Sequence, residues 1–403
     1  MIDVGTPDYV AARRALTLGA LLVFGNLYLL QPLLPTLTET FSVSASEANW
    51  AHAGVFLGLA LALLPWAVLS ERVGRYRVIC LSLMAIPPVG ALGAMADSLW
   101  ALVVARVVLG GVLAGFTAVA VAYMAEEFSP SALALAVGGF VAANSVGGIL
   151  SRLVGGALGQ WLGWQGMLLT SSAVGVLVVL GALRWLPQER EFRPHTPGWM
   201  PLWRAIFGHL MAPRLVLAML LGGVNFALFV NQFSVMGFRL VAPPHQLPVA
   251  VSAGIFLCYL TGTLTSALSG LWSQRFGPLS GMAFGVLLAL FGLVLARLET
   301  LWAILLGLLL ISAGAFLVHA LAYAWVGREA RQARAGATAL YLVHYYLGGS
   351  LGGFWLLWWW QERGWDGVIL GSLVLYLVML LLVWGLKHSL GPSVERPGKK
   401  TPA

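Results

Sequence analysis

The stretch of sequence that decides the fold is Ala67-Val68-Leu69-Ser70-Glu71-Arg72-Val73-Gly74-Arg75-Tyr76-Arg77. Its four charges and one glycine fall within seven residues, between two long apolar segments. A shorter copy, Ser273-Gln274-Arg275-Phe276-Gly277, follows between two further apolar segments. The copies stand about 200 residues apart, and repetition at such a period predicts a chain built from two similar halves.

The rest of the chain carries very little charge. Only 9% of its 403 residues are charged and 60% are hydrophobic, with a mean hydropathy of +0.88. An ordinary soluble domain has about 25% charged residues, so this chain does not have enough polar groups to cover a surface in water. The composition excludes a globular enzyme, a disordered chain and a nucleic-acid-binding protein, and it predicts an all-α polytopic membrane protein.

Windows without charge occur twelve times along the chain. A membrane-spanning helix needs about 20 mostly apolar residues. The windows are 15–38, 48–70, 78–96, 98–125, 128–151, 153–183, 215–238, 240–274, 276–296, 300–327, 335–361 and 367–386. Only the fourth is interrupted, by Arg106. We therefore expect twelve transmembrane helices in contact with a lipid bilayer.

Lysine and arginine residues lie mostly on one side of this arrangement. With the N-terminus inside, eighteen of the 23 fall in inside segments and three, Arg239, Arg297 and Arg363, fall outside. The positive-inside rule then places both termini in the cytoplasm. Residues 1–14 are polar and do not resemble a secretory signal. The net charge of +8 follows from this topology, so no nucleic-acid partner is expected.

Further matches support two halves in parallel. Residues 113–123 and 313–323 share Phe, Ala, Ala and Tyr in register, and residues 163–164 recur as 364–365. We expect a first six-helix bundle at 1–186, a cytoplasmic linker at 187–213, a second six-helix bundle at 214–389 and a cytoplasmic tail at 390–403. Two parallel repeats about an axis normal to the membrane are typical of secondary transporters, with the site between the repeats.

Residues 67–77 resemble the charged signature between helices 2 and 3 of the major facilitator superfamily, with Ala67 and Glu71 in place of its first glycine and its aspartate. Arg106 followed by Gly110 resembles a helix-4 pattern of its proton-coupled exporters. Residues 26–35 and 122–127 look like the bacterial inner-membrane exporters grouped with arabinose and drug efflux permeases. The resemblance implies the fold of that superfamily, with alternating access and proton-coupled efflux. The proline of the helix-5 pattern of drug antiporters is missing from 147–152.

Charged residues at the cytoplasmic ends of the second to fourth windows are candidates for a gate. They are Glu71, Arg72, Gly74, Arg75, Arg77, Glu126 and Glu127. Pairs between these acids and arginines can hold the gate in one state and break in the other. The alternative is that the arginines only fix the topology.

Two arginines and no carboxylate fall deep within the predicted spans. An ionised group there costs about 3 kcal/mol or more unless it faces a cavity or a partner, so each is a candidate for substrate or coupling. Arg106 shares a helix face with Gly110, and we expect this small residue to leave room for a ligand or a proton path. Arg152 lies between pairs of glycines, and a binding role and snorkelling to the headgroups both remain open for it.

Proton coupling needs a group in the membrane that takes up and releases a proton. His52, His319 and His344 are candidates because unperturbed histidine has a pKa of about 6.5. Glu39, at the outer end of the first window, is another candidate. The alternative for each histidine is an ordinary hydrogen bond in the core.

Neutral polar side chains complete the candidate site. They are Tyr28, Gln31, Asn144, Asn225, Gln232, Tyr341 and Tyr345. Asn225 and Gln232 are expected to share one helix face, and Tyr341 and Tyr345 to flank His344. Amides and phenols suit a small amphiphilic or hydroxylated molecule, and the two arginines favour an anionic or neutral solute over a dication.

The sequence therefore predicts a monomeric transporter of a bacterial inner membrane that exports a small molecule in exchange for protons. The alternatives are an importer or facilitator of a sugar-like or organic-anion solute and a non-transporting membrane sensor. No GxSxG, HExxH or pair of intramembrane aspartates is present, so we expect no enzymatic activity, no cofactor and no metal.

Overall fold

The computed structural model describes residues 1–190, 192, 199–330 and 333–389, and the regular elements within them are helices. In the first half they are α1 Pro7–Tyr28, α2 Leu34–Phe41, α3 Ala45–Val73, α4 Arg75–Ala94, α5 Leu99–Glu127 and α6 Pro130–Trp185. The linker holds α7 Trp199–Gly208. In the second half they are α8 Pro213–Val241, α9 Val249–Ser252, α10 Tyr259–Phe276, α11 Pro278–Leu295, α12 Leu301–Glu329 and α13 Arg334–Ser389.

Ten of the described helical segments are long and apolar enough to cross a membrane. A short 3₁₀ turn joins α1 to α2, and another joins α9 to α10, so that each pair forms one segment. Helices suit this chain because each bonds its own backbone groups where no water is available. Both α6 and α13 have 56 residues. A straight helix of that length would span about 84 Å, far more than the bilayer core of about 30 Å.

Helix α6 reverses its direction at Gly163. This glycine has φ 71° and ψ 169°, a backbone conformation that is essentially reserved for glycine. On either side of it, Gly147 packs against Leu21 of α1 and Gly175 packs against the neighbouring Leu22. Residues 147 and 175 would be about 42 Å apart in a straight helix. The two arms of α6 therefore fold back along α1.

Helix α13 makes the corresponding reversal at Gly364, where φ is 57° and ψ is −144°. The indole nitrogen of Trp355 donates to the carbonyl oxygen of Gly371 across the turn, at 3.0 Å. The halves also match in other elements, since α5 and α12 each have 29 residues. Gly74 and Gly277, which follow α3 and α10, both have positive φ, 99° and 82°.

The two ends of the molecule differ in what they carry. We call the end that holds residues 71–77, Glu126, Glu189 and Arg214 the linker end. The end where α6 and α13 reverse is the hairpin end. At the linker end, Ile2 forms an isolated parallel bridge with Phe128, and Arg214 pairs with Glu329 at 3.2 Å.

Replacing Gly163 by alanine is expected to lower the free energy of unfolding by about 1–3 kcal/mol, because the backbone conformation at the turn excludes a Cβ. Gly138, in the first arm of α6, is the matched control because its backbone is helical and an added Cβ would meet no atom within 4 Å. There, alanine should be neutral or stabilise by up to about 1 kcal/mol. Thermal unfolding of the purified protein in detergent measures both variants. Equal transition temperatures would contradict the assigned turn.

Candidate functional site

Side chains join the two halves near the hairpin end. The amide nitrogen of Gln31 donates to the carbonyl oxygen of Val230 and to Oγ of Ser234, both at 2.9 Å. The hydroxyl of Ser350 donates to the carbonyl oxygen of Ala53 at 3.0 Å. Each bond links a helix of the first half to a helix of the second. The halves therefore meet through individual side chains at this level of the molecule.

Aromatic rings extend this interface between the halves. The rings of Trp50 and Phe354 have centroids 4.4 Å apart. Phe56 meets Phe226 at 5.3 Å and Tyr346 at 6.1 Å. We call these five rings the aromatic floor, and they lie beside the polar groups of α1 and α6.

Arg152 stands where these contacts converge, and its side chain is only 1% exposed. Its Nε donates to Oε1 of Gln31 at 2.7 Å, and its Nη1 donates to the carbonyl oxygen of Gly148 at 2.8 Å. Gln31 is thus bonded to both halves at once. Because the guanidinium is enclosed by protein, the snorkelling alternative for Arg152 is wrong.

Three aromatic rings surround the guanidinium of Arg152. Its central carbon lies 3.7 Å from the ring centroid of Tyr28, 4.6 Å from that of Tyr259 and 4.8 Å from that of Phe256. The first ring belongs to the first half and the other two to the second. A desolvated cation over an aromatic face gains about 2 kcal/mol, so these rings stabilise the charge that burial disfavours. Asn144 lies two helical turns from Arg152 towards the linker end.

Several buried polar atoms near this interface have no hydrogen-bond partner among the described residues. They are Nη2 of Arg152, the hydroxyl of Tyr259, both ring nitrogens of His52, both amide atoms of Asn49, Oδ1 of Asn144 and Oδ1 of Asn231. Buried polar groups are usually bonded, so such a group marks a site that can take a ligand or water. Of these, Tyr259 and Asn49 were missed by the sequence reasoning. The one available signal was the spacing of Asn49 and His52, which puts both on one helix face.

A second cluster lies within the second half. Nδ1 of His319 and the hydroxyl of Tyr341 are at hydrogen-bond distance, 3.0 Å. The ring of Tyr345 is centred 4.3 Å from that of His319 and is stacked on Phe226 at 4.0 Å, with an interplanar angle of 13°. The structure thus brings together three of the predicted residues, His319, Tyr341 and Tyr345, and links them to the aromatic floor.

His344 is not part of this cluster. Its Nδ1 donates to the carbonyl oxygen of Leu340 in its own helix at 2.8 Å. The ring lines an apolar groove of about 380 Å³ between α8 and α13, together with Gly223, Gly348 and Gly352. His344 therefore lies beside Gly348 and Gly352, on the same helix as Tyr341 and Tyr345, and its part in proton coupling stays a prediction.

Asn225 and Gln232 are bonded inside the second half. The amide nitrogen of Asn225 donates to the carbonyl oxygen of Ala315 in α12 at 3.0 Å. That of Gln232 donates to Oγ of Ser372 at 3.1 Å, and its Oε1 accepts from Tyr376 at 3.3 Å. Both amides find partners on neighbouring helices, their seven-residue spacing in one continuous helix keeps them on one face, and a role of that face in substrate binding stays a prediction.

Arg106 is enclosed in the first half and is 2% exposed. It donates to three backbone oxygens, those of Ala51 at 3.2 Å, Asn26 at 3.1 Å and Leu27 at 3.2 Å. The space beside Gly110 is filled by the backbone of α3. The prediction of a path next to Arg106 is therefore wrong, because the glycine lets two helices approach closely instead.

The charges at the linker end are paired around Arg75. Its guanidinium lies 2.6 Å from Glu71 and 3.0 Å from Glu126. Glu189 of the linker accepts from the backbone nitrogens of Arg75 at 2.7 Å and Tyr76 at 3.1 Å, and so caps the start of α4. A carboxylate at a helix N-terminus is favourable because the helix dipole is positive there.

The other predicted gate residues surround this cluster. Glu127 is 2% exposed and accepts from the backbone nitrogen of Arg190 at 2.9 Å. Gly74 forms the turn between α3 and α4, and the side chains of Arg72 and Arg77 are exposed. The ion pairs and hydrogen bonds of Arg75, Glu189 and Glu127 thus tie the first half to the linker.

Comparisons with known proteins agree with this architecture. Residues 16–353 match the family model described as Major Facilitator Superfamily. The chain is 29% identical to the uncharacterized MFS-type transporter YybF of Bacillus subtilis (strain 168), over 99% of this chain and 98% of the relative. It is 32% identical to the inner membrane transport protein YnfM of Escherichia coli (strain K12), over 96% and 92%.

One solved structure shares the fold over nearly the whole chain. It is a bacterial homologue of the human lysosomal transporter Spinster, in an inward-facing and unoccupied conformation. The TM-score is 0.75 at 18% identity, covering 95% of this chain and 97% of that one.

Replacing Arg106 by lysine is expected to lower stability strongly. Lysine keeps the charge but cannot reach the carbonyl oxygens of both α1 and α3, and each buried acceptor left unbonded costs about 1–3 kcal/mol. Arg297→Lys is the control, since this arginine is 64% exposed and surface changes usually stay within about 0.5 kcal/mol. Unfolding temperatures in detergent compare the two. An Arg106→Lys protein as stable as the parent would show that these bonds do not hold the first half together.

Proposed function

The chain belongs to the Major Facilitator Superfamily, and we propose that it is a monomeric secondary transporter that exports a small molecule in exchange for protons. The observation that carries this proposal is the set of side-chain bonds between the halves near the hairpin end, centred on Gln31 and Arg152. Two bodies joined in this way can rock against each other about a buried site.

The proposed topology has twelve spans. Counting α6 and α13 twice, because each doubles back, turns the ten apolar segments into twelve. The start of α1 and the end of α13 at Ser389 then lie at the linker end, together with most of the basic residues, and the positive-inside rule assigns that end to the cytoplasm. The predicted tail 390–403 lies outside the described residues. In this proposal the bundles 1–186 and 214–389 lie in a bacterial inner membrane, and 187–213 and 390–403 are cytoplasmic.

The contacts near the hairpin end correspond to a state closed towards the outside. Opening that side for export would break the bonds of Gln31 to Val230 and Ser234 and the contacts of Arg152 with the rings of the second half. A hydrogen bond contributes about 1 kcal/mol net, so a few of them can be exchanged during a cycle. The matched structure of the Spinster homologue is inward-facing, and we propose the same state for this chain.

The proposed gate is the cluster of Glu71, Arg75 and Glu126 at the linker end. In the present state these groups pair within the first half, and Glu189 links them to the linker. We infer that closing the cytoplasmic side rearranges these pairs. The alternative that the arginines serve topology alone predicts no change of transport rate in a Glu71→Gln protein.

We assign proton uptake to His319, with His52 as a second candidate. Within the described residues, the spans hold no carboxylate away from their ends, and Glu39 is exposed near the hairpin end. His319 faces the hydroxyl of Tyr341, so a change in its protonation changes their hydrogen bond. The same histidine contacts Tyr345, which is stacked on Phe226 of the aromatic floor. His52 is fully buried, and its ring meets that of Phe56 edge-on, with centroids 4.8 Å apart.

Transport is expected to follow the pH gradient. Proteoliposomes with an acidic lumen are supplied with 4-hydroxybenzoate, 4-hydroxybenzyl alcohol, L-arabinose and ethidium. At least one should accumulate, and collapsing the gradient with an ionophore should abolish the accumulation. His319→Gln should remove the dependence on the gradient, whereas His388→Gln, an exposed histidine at the linker end, should not. Accumulation that survives the ionophore contradicts proton exchange, and accumulation driven by the opposite gradient supports the importer alternative.

Crosslinking the halves at the hairpin end is expected to stop transport. Gln160 and Ala250 lie on opposite halves, with Oε1 of the former 3.0 Å from the backbone nitrogen of the latter. Cysteines at both positions, in a protein whose own Cys80 and Cys258 are replaced by alanine, are joined with a short bis-thiosulfonate reagent. Accumulation of the transported solute should cease and return on reduction.

The matched control joins two residues of the same half. Arg297 and Asp366 form an exposed ion pair at the hairpin end, 2.9 Å apart, and both belong to the second half. The same reagent applied to cysteines there should leave transport intact. Inhibition by both crosslinks, or by neither, would speak against rocking of the halves.

A further inference from the structure

We propose that Arg152 and the groups around it bind the anionic group of a small aromatic substrate, such as an aromatic carboxylate. This inference rests on the proposed transport function, because it names the chemistry of the solute. It assigns the cation of the site to Arg152 and a second hydrogen-bond donor to Tyr259. The site lies between the halves, so that both contribute to it.

The first argument is the charge balance of the buried region. Arg152 is 1% exposed and Arg106 is 2% exposed. Within the described residues neither forms an ion pair, and the acidic residues lie in loops or at helix ends. Arginine stays protonated in proteins, so the region keeps its positive charge. A buried cation without a counter-charge favours any anion that reaches it.

The second argument is which donors remain free. Gln31 and Gly148 accept from Nε and Nη1 of Arg152, and so fix the plane of the guanidinium. Nη2 has no acceptor at good hydrogen-bond geometry within the described residues, where its nearest stabilising hydroxyl is that of Tyr28, and the hydroxyl of Tyr259 has no partner there either. The guanidinium fork suits the oxygens of a carboxylate, with which it forms strong charge-assisted bonds. Arg106 offers no comparable site, because all three of its nitrogens already donate to backbone oxygens.

The third argument concerns the body of the ligand. Tyr28, Phe256 and Tyr259 flank the guanidinium. Tyr28 also meets Phe56, which meets Phe226 of the Phe226–Tyr345 stack beside His319. Offset stacking or edge contacts between two aromatic rings lower the free energy beyond the effect of burial alone. A flat aromatic solute therefore matches the walls of the site, and its anionic group matches the cation at its end.

The test compares three small molecules of the same shape and different charge. Benzoate, benzamide and benzamidinium are added separately to the purified full-length protein in detergent, and the unfolding temperature is followed with concentration. A ligand that binds the folded state alone raises this temperature according to its affinity. We expect benzoate to bind at least tenfold more tightly than benzamide, and benzamidinium to bind more weakly still. Equal binding of the three, or equal stabilisation by inorganic phosphate, would overturn the proposal.

Variants identify the groups that bind. Arg152→Gln should weaken benzoate binding at least tenfold and abolish the preference over benzamide, and Arg152→Lys should restore part of it. Tyr259→Phe keeps the ring and removes one donor, so a loss of about threefold to tenfold is expected. Arg297→Gln, which removes an exposed charge at the hairpin end, should change nothing. Full benzoate binding by Arg152→Gln would overturn the assignment. If that variant does not fold, Tyr259→Phe and the ligand series decide.

Failure of the site and failure of the proposed function are distinguishable. Benzoate that binds through Arg152 without any transport in proteoliposomes would refute transport and leave the anion site. Proton-driven accumulation of a neutral or cationic solute, undiminished in Arg152→Lys and Tyr259→Phe, would leave transport and refute the anion site.

Discussion

A guanidinium enclosed in an apolar bundle without a carboxylate must be satisfied by neutral groups, and the first half is arranged around that requirement. Helix α1 stops at Tyr28, so carbonyl oxygens of its last turn are left without their usual backbone donors. Arg106 takes two of these oxygens. The same interruption carries Tyr28 and Gln31 to Arg152. The end of this one helix therefore supplies partners to both buried cations, carbonyl oxygens to Arg106 inside the half and the side chains of Tyr28 and Gln31 to Arg152 at its boundary.

Packing within a half and packing between halves rest on different contacts. Inside the halves, glycines such as Gly110 and Gly285 bring neighbouring helix backbones close together, and such contacts leave little freedom to shift. Between the halves, bonds such as Gln31 to Ser234 and rings such as Phe56 on Phe226 carry much of the contact. Rigid bodies separated by exchangeable contacts are what a rocking motion requires.

The spacing of charges was enough to predict apolar segments of helical length and the turn at Gly74, because hydrophobic length and charge are local properties. It divided the fifth window from the sixth at Arg152, whereas the chain reverses at Gly163, which no charge marks. The same reasoning selected Arg152 and Gln31, since polar residues are rare in apolar windows. It could not show that the room beside Gly110 is filled by another helix, because a small residue admits a ligand and a neighbouring backbone equally well. It overlooked Tyr259, since an aromatic residue in an apolar window is ordinary until its hydroxyl is seen to lack a partner.

The tight turn of α6 also bears on how the chain enters the membrane. No charged residue stands between Arg152 and Arg184, so the turn at Gly163 brings two spans into the bilayer without moving a charge across it. The turn of α13 differs, since Glu362, Arg363 and Asp366 must cross, and charge in the membrane core costs about 3 kcal/mol per residue. In the proposed topology the first hairpin therefore carries only the charge of Arg152 into the bilayer, whereas the second must also move the three charges of its turn across the core.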